Sequence, residues 1–192
     1  IRSRRVTPTL LDDPDSMWPG HDQSPLLDYD MMKLYQSVGA LVNFVAMDRP
    51  DLLYSIKEVM RHMSKPTCDD MVRLKRVVRY IRTVPRWAAK FPWHTPSDSI
   101  EVYTDSDHAG CPTTRKSTLG GCILWGGCFL KAWSKTMDVL ALSSGESELG
   151  ALTKACTEGM GMRSVLDDFQ IKVEIKVLSD ATAALGWFAD LA

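Results

Sequence analysis

A mixed α/β sheet preceded by an α-helical segment is the fold class this chain predicts, and three observations carry it. Apolar residues recur at three- and four-residue steps between Met31 and Ile81. After Pro96 the pattern changes to short extended runs. One long helical stretch then separates the third run from the fourth. The order strand, strand, strand, helix, strand is that of a three-strand antiparallel meander followed by a crossover helix and a strand parallel to the first.

Composition narrows the class further. The 192 residues are 45% hydrophobic and 24% charged, which is globular material able to bury a core and excludes collagen, disulfide-scaffold and disordered readings. The five cysteines form an odd set without a CxxC pair, the pattern of reduced thiols in an intracellular protein. No apolar run approaches the roughly 18 residues of a membrane span. The start Ile1-Arg2-Ser3-Arg4-Arg5 lacks the apolar stretch of a signal peptide, and Ile at the first position predicts a piece of a longer product. The near-zero net charge hides an asymmetry: residues 1–96 carry 15 basic and 11 acidic side chains, residues 97–192 carry 8 and 13. A basic half that holds a polyanion and an acidic half that holds metal would account for it.

Along the chain, residues 1–30 hold four prolines and scattered Asp, so an extended or disordered lead-in is expected there. A helix is expected from Met31 to about Met47. Asp48-Arg49-Pro50-Asp51 then breaks it, and a second helix runs through Leu52, Ile56, Val59 and Met63. Thr67 and Asp70 resemble a capping box for a third helix with Met71, Leu74, Val77, Val78 and Ile81 on its apolar face. Arg73, Lys75, Arg76, Arg79 and Arg82 are read as its opposite face, five cations able to lie along a phosphate backbone. Trp87 and Trp93 follow in a proline-rich linker and are read as core anchors, with stacking on bases as the alternative.

Beyond residue 96, Ile100, Val102 and Thr104 alternate with Glu101, Tyr103 and Asp105, a strand ending near Asp105. The runs 120–125 and 128–133 flank Gly126-Gly127, a hairpin signal. Leu149, Leu152, Cys156, Met160, Val165 and Phe169 are expected to face the core from the crossover helix, and a last strand through Val173, Ile175 and Val177 ends at Asp180. Asp105 and Asp180 then sit side by side at strand ends, where α/β sheets bind ligands. Two such acids repel unless a cation neutralises them, and a third would complete an oxygen-lined site. Ser143 and Glu146 fit a capping box, which makes Glu146 structural; Glu148, about 200° further around the helix, can point along the sheet toward the strand ends.

These residues carry a resemblance. Tyr103-Thr104-Asp105-Ser106-Asp107-His108-Ala109-Gly110, Arg115-Lys116-Ser117-Thr118, Ala132-Trp133-Ser134-Lys135, Leu142-Ser143-Ser144-Gly145-Glu146-Ser147-Glu148-Leu149 and Leu178-Ser179-Asp180 resemble the ribonuclease H region of copia-type retrotransposon Pol polyproteins. Upstream, Tyr35-Gln36-Ser37-Val38-Gly39-Ala40-Leu41, Arg49-Pro50-Asp51 and Met63-Ser64-Lys65-Pro66-Thr67 resemble the segment that joins reverse transcriptase to that region. After the lead-in over 1–30, the resemblance implies a helical connection segment over 31–96 and an RNase H-like domain over 97–192, expected to be truncated at its C-terminus because the family supplies a further acid-bearing group from a later unit. It implies cleavage of the RNA strand of RNA–DNA hybrids during reverse transcription, with Asp105, Glu148 and Asp180 as ligands of two Mg²⁺ or Mn²⁺ ions. The implied partners are the hybrid and the upstream polymerase portion, and the implied setting is a cytoplasmic reverse-transcribing particle with nuclear access and no membrane. A second reading stays open: a catalytically inactive remnant that binds nucleic acid through the basic helix.

Overall fold

The computed structural model of the chain describes residues 24–93, 95–111 and 113–180. Two compact units divide it, Ile1–Trp87 and Ala88–Ala192.

The first unit is helical. Of the expected lead-in, residues 1–23 lie outside the described residues. Ser24 to Asp28 run extended, and Leu26 forms an isolated bridge with Thr67. Helix α1 (Tyr29–Ala46) starts two residues earlier than expected because Asp28 caps it, its carboxylate accepting from the Met31 N–H at 2.8 Å. A 3₁₀ turn (Pro50–Leu52) leads into α2 (Leu53–Met60), and α3 (Cys68–Thr83) follows. The Thr67–Asp70 capping box forms as the spacing predicts. Tyr35, Val42, Leu52, Ile56, Val59, Met71, Leu74 and Val77 make the core. The Tyr35 hydroxyl donates to the Val59 carbonyl at 2.8 Å, and burial, with the Asp70 charge nearby, pushes its phenol well above the ordinary range. Arg49 grips Asp51 with two bonds, at 2.9 and 2.8 Å, and donates to the Val84 carbonyl. Burial alone would raise the Asp51 carboxyl, but the bonds from Arg49 and Tyr80 outweigh it and hold the group below the usual carboxylate range.

One assignment on α3 is corrected. Arg73 does not stand on the outer face: it is buried, and its guanidinium donates to Asp70 at 3.1 Å. Asp70 is itself buried as part of the cap, and a cation one turn on compensates a charge that the core could not otherwise hold. The tryptophans are corrected too, since Trp93 is fully exposed and Trp87 partly so.

The second unit holds a four-stranded sheet in the order β3-β2-β1-β4, from β1 (Ser99–Asp107), β2 (Thr118–Trp125), β3 (Cys128–Thr136) and β4 (Glu174–Leu178). β1–β2 and β2–β3 are antiparallel and β1–β4 parallel, with helix α4 (Ser144–Asp168) as the crossover. This is the meander with a parallel crossover strand that the element order predicts, and it matches the RNase H-like arrangement that the resemblance implies. Gly126 and Gly127, at φ 55° and 79°, supply the two left-handed positions of the β2–β3 turn.

Helix α4 covers one face of the sheet, with Leu152 of the expected stripe buried but most of that stripe turned away. Its buried residues are Ser147, Ala151, Leu152, Ala155, Gly159 and Leu166, whereas Cys156, Met160, Val165 and Phe169 are exposed. Small side chains let the helix backbone approach β1: a Cβ on Gly159 would lie 2.9 Å from Ile175 Cγ2 and 3.2 Å from Val102 Cγ2. Ile100, Val102, Ile123, Trp133, Ala155 and Leu166 close the core between them.

Candidate functional site

Strand β1 sets the geometry through its alternation. Ile100, Val102, Thr104 and Ser106 face α4: the first two are fully buried, the Thr104 hydroxyl lies 3.0 Å from the Gly120 carbonyl and 3.2 Å from that of Ala151, and the Ser106 and Ser147 hydroxyls meet at 2.9 Å. Period-two geometry therefore sends Glu101, Tyr103, Asp105 and Asp107 to the opposite, open face. Asp105 stands within the strand rather than at its end, since pairing with β2 continues to Asp107. β4 stops at Leu178, two residues short of Asp180, so the chain is already turning where Asp180 stands.

The parallel register pairs Tyr103 with Leu178, and its continuation carries Asp105 level with Asp180. Both acids line one cavity of about 530 Å³, shared with Tyr103, Gly120, Cys122 and Leu178 on the open face. Gly120 leaves room beside Asp105, because nothing but the Asp105 carbonyl lies within 4 Å of a Cβ built there. Tyr103 and Cys122 escaped the sequence reading, although alternation places both on this face. A hydrogen bond to Glu101 raises the Tyr103 phenol, and burial raises the Cys122 thiol.

Glu148 is not among the described residues lining this cavity. It is carried by α4 on the far side of the sheet, half-buried beside Ser147. The cap assignment that separates the two glutamates takes a shifted form: Ser143 Oγ accepts from the Glu146 N–H at 3.2 Å, while the Glu146 carboxylate accepts from Leu142 N, one residue ahead of the cap. Asp107 packs its carboxylate onto Gly110, where a Cβ would collide with it.

A two-ion centre needs several hard oxygen ligands converging on each ion. Among the described residues, no group of three or more His, Cys, Asp or Glu side chains is gathered so as to hold a metal ion. Asp105 and Asp180 by themselves are an incomplete donor set for such a centre.

The basic surface of the first unit is more fully formed. Lys75, Arg76, Arg79 and Arg82 are exposed on α3, and among the described residues none of them pairs with a carboxylate. Arg82 also sits in the last turn, where the helix dipole favours a cation. Among the described residues, no helix is long and apolar enough to cross a membrane.

Fold and site together define an RNase H-like mixed α/β unit, accompanied in the same chain by a compact helical unit with an exposed basic face on α3. Comparison with known proteins places this class more narrowly. The chain is 33% identical over 126 residues to the secreted RxLR effector protein 161 of Plasmopara viticola, covering 65% of this chain and 87% of that protein. An uncharacterized mitochondrial protein of Arabidopsis thaliana is 32% identical over 125 residues, 65% of this chain and 51% of its own length. The retrovirus-related Pol polyprotein of transposon TNT 1-94 from Nicotiana tabacum is 27% identical over 150 residues, 78% of this chain but 11% of the polyprotein. The chain belongs to the sequence family of the effector relative and has weaker, partial-length homology to retrovirus-related Pol polyproteins of plant transposons, consistent with a transposon-derived polyprotein fragment. It spans about half of the mitochondrial relative and about a tenth of the Pol polyprotein. No protein-family model and no solved structure matches it.

Proposed function

We propose that the chain is a nucleic-acid-binding remnant of a copia-type retrotransposon Pol polyprotein. The observation that supports this most is the set of four exposed cations on α3, Lys75, Arg76, Arg79 and Arg82, which have no carboxylate partner among the described residues. Cations at helical spacing along one rod match the phosphates of a duplex and recognise its backbone and shape, not its sequence. The ligand is an RNA–DNA hybrid, the duplex that the Pol relationship and the RNase H-like fold suggest.

Binding should weaken with salt at a log–log slope on the order of −3, about one released counterion per contact. Replacing Arg76 and Arg79 together by Glu should lower affinity by roughly tenfold or more at low salt and flatten that slope, as read by fluorescence anisotropy.

A metal-dependent ribonuclease H is the second reading, favoured by Asp105 and Asp180 sharing one cavity. It requires Glu148 to join them as a third ligand. A labelled hybrid incubated with Mg²⁺ or Mn²⁺ separates the two readings. The remnant leaves the RNA strand whole; cutting by the parent that Asp105→Asn abolishes would replace it with the enzyme.

A further inference from the structure

We infer that the helical unit carries a docking groove for an acidic amphipathic helix, an interaction that goes beyond nucleic-acid binding. Helices α1 and α3 enclose a groove of about 290 Å³ whose floor is Leu34, Val38, Met71, Leu74 and Val78. The apolar stripe extends past it along α1, where Leu34, Val38, Leu41 and Val45 recur at steps of four, three and four. It lies beside the buried stripe of Tyr35, Val42 and Ala46, yet Leu34 is 50% and Leu41 65% exposed. Across the groove, Lys75, Arg79 and Arg82 form the rim at steps of four and three.

Such a groove selects an occupant apolar on one side and anionic along the adjoining flank. Nucleic acid supplies the anions without the apolar side, and no aromatic ring among the lining residues offers a base a surface to stack on. An amphipathic helix supplies both, with anchors at i, i+3 or i+4, and i+7 on the aliphatic floor. Asp or Glu at matching steps would then face Lys75, Arg79 and Arg82. The stripe from Leu34 to Val45 is about 16 Å long at 1.5 Å per residue, which calls for a helix of about three turns. An interface this small gives a Kd on the order of micromolar. Because the helix neutralises three of the four exposed cations, it would also compete with nucleic acid for α3.

The probe is a labelled helical peptide of about 14 residues with Leu at the anchor positions and Glu on the flank, titrated by anisotropy into the full chain. A second peptide carries Lys in place of every Glu. The acidic peptide should saturate, and the lysine peptide should bind about tenfold more weakly or worse. The same loss is expected for a chain with Lys75→Glu and Arg82→Glu, and for Leu34→Ser, both changes at exposed positions whose retained fold is checked by circular dichroism. Equal binding of the two peptides overturns the proposal. So does a chain that holds an RNA–DNA hybrid through Arg79 yet fails to bind the acidic peptide, an outcome that assigns the surface to nucleic acid alone while leaving the hybrid-binding reading intact.

Discussion

The two units bury polarity in opposite ways. The helical unit buries full charges: Asp70, Arg73 and Arg49 are 1%, 5% and 7% exposed. The sheet unit buries hydroxyls instead: Thr104, Ser117 and Ser147 lie at the β1–α4 contact or under the neighbouring loop, and each is bonded to a backbone group or to another hydroxyl. A charge pair fixes which turn of one helix meets which part of the next, but removing one member strands the other. A hydroxyl costs less to satisfy and takes little room, so a helix can settle close to a sheet. The helical unit is thus vulnerable to loss of a partner and the sheet unit to gain of volume.

Asp70→Ala should break this contrast hardest. It removes the carboxylate half of the capping box, takes the Asp70 carboxylate away from the buried Arg73 guanidinium, and should destabilise the helical unit by about 3–5 kcal/mol in denaturant unfolding followed by circular dichroism. Adding Arg73→Met should recover most of that loss; if the double variant were as unstable as the single one, the stranded charge would not be the cause. In the sheet unit, Gly121→Ala should cost about 1–3 kcal/mol, because the new methyl meets the Trp133 ring and the Tyr103 carbonyl. A neutral result would mean that the sheet yields more readily than its packing implies.

The smallest effect concerns Glu158 on α4, which binds Lys131 and Lys154, each at 2.6 Å. Burial alone would raise its carboxyl, but the two lysine bonds hold it below the usual range. Its contribution is therefore complete above the unfolded carboxylate value of about 4.3 and fades as pH falls through the lower folded value. Lys131 is half exposed, so the gain is on the order of 1 kcal/mol or less. Glu158→Gln should lower stability at pH 7 and leave it nearly unchanged near pH 2; an equal loss at both would assign the effect to packing.

Local chemistry made much of this fold legible in the sequence. Thr67 with Asp70, Ser143 ahead of α4, and Gly126-Gly127 each act through their own backbone neighbours, so reading them needs no knowledge of the tertiary structure. Alternation along β1 likewise separates the face of Val102 from the face of Asp105. Apart from Leu152, the buried stripe of α4 is not legible in the sequence, because periodicity arguments weigh large apolar side chains, whereas close approach to a sheet selects Ser147, Ala151, Ala155 and Gly159. Arg73 was misplaced for a related reason: its charge signals solvent, and only its buried partner one turn away reverses that. For the carboxylates, spacing brought Asp105 and Asp180 to one edge, but where Glu148 stands depends on how α4 crosses behind the sheet, which no local pattern records.

The extended residues ahead of α1 carry a mechanical consequence. Leu27 N–H donates to the Pro66 carbonyl at 3.0 Å, Cys68 N–H to that of Pro25 at 2.9 Å, and Asp69 N–H to the Ser24 hydroxyl at 3.1 Å. These three bonds fasten the chain's path into α1 onto the start of α3. Tension applied through the residues before Ser24 would therefore load the cap of α3 first and reach α1 only after the clasp had parted, so the helical unit is braced against a pull from its upstream side.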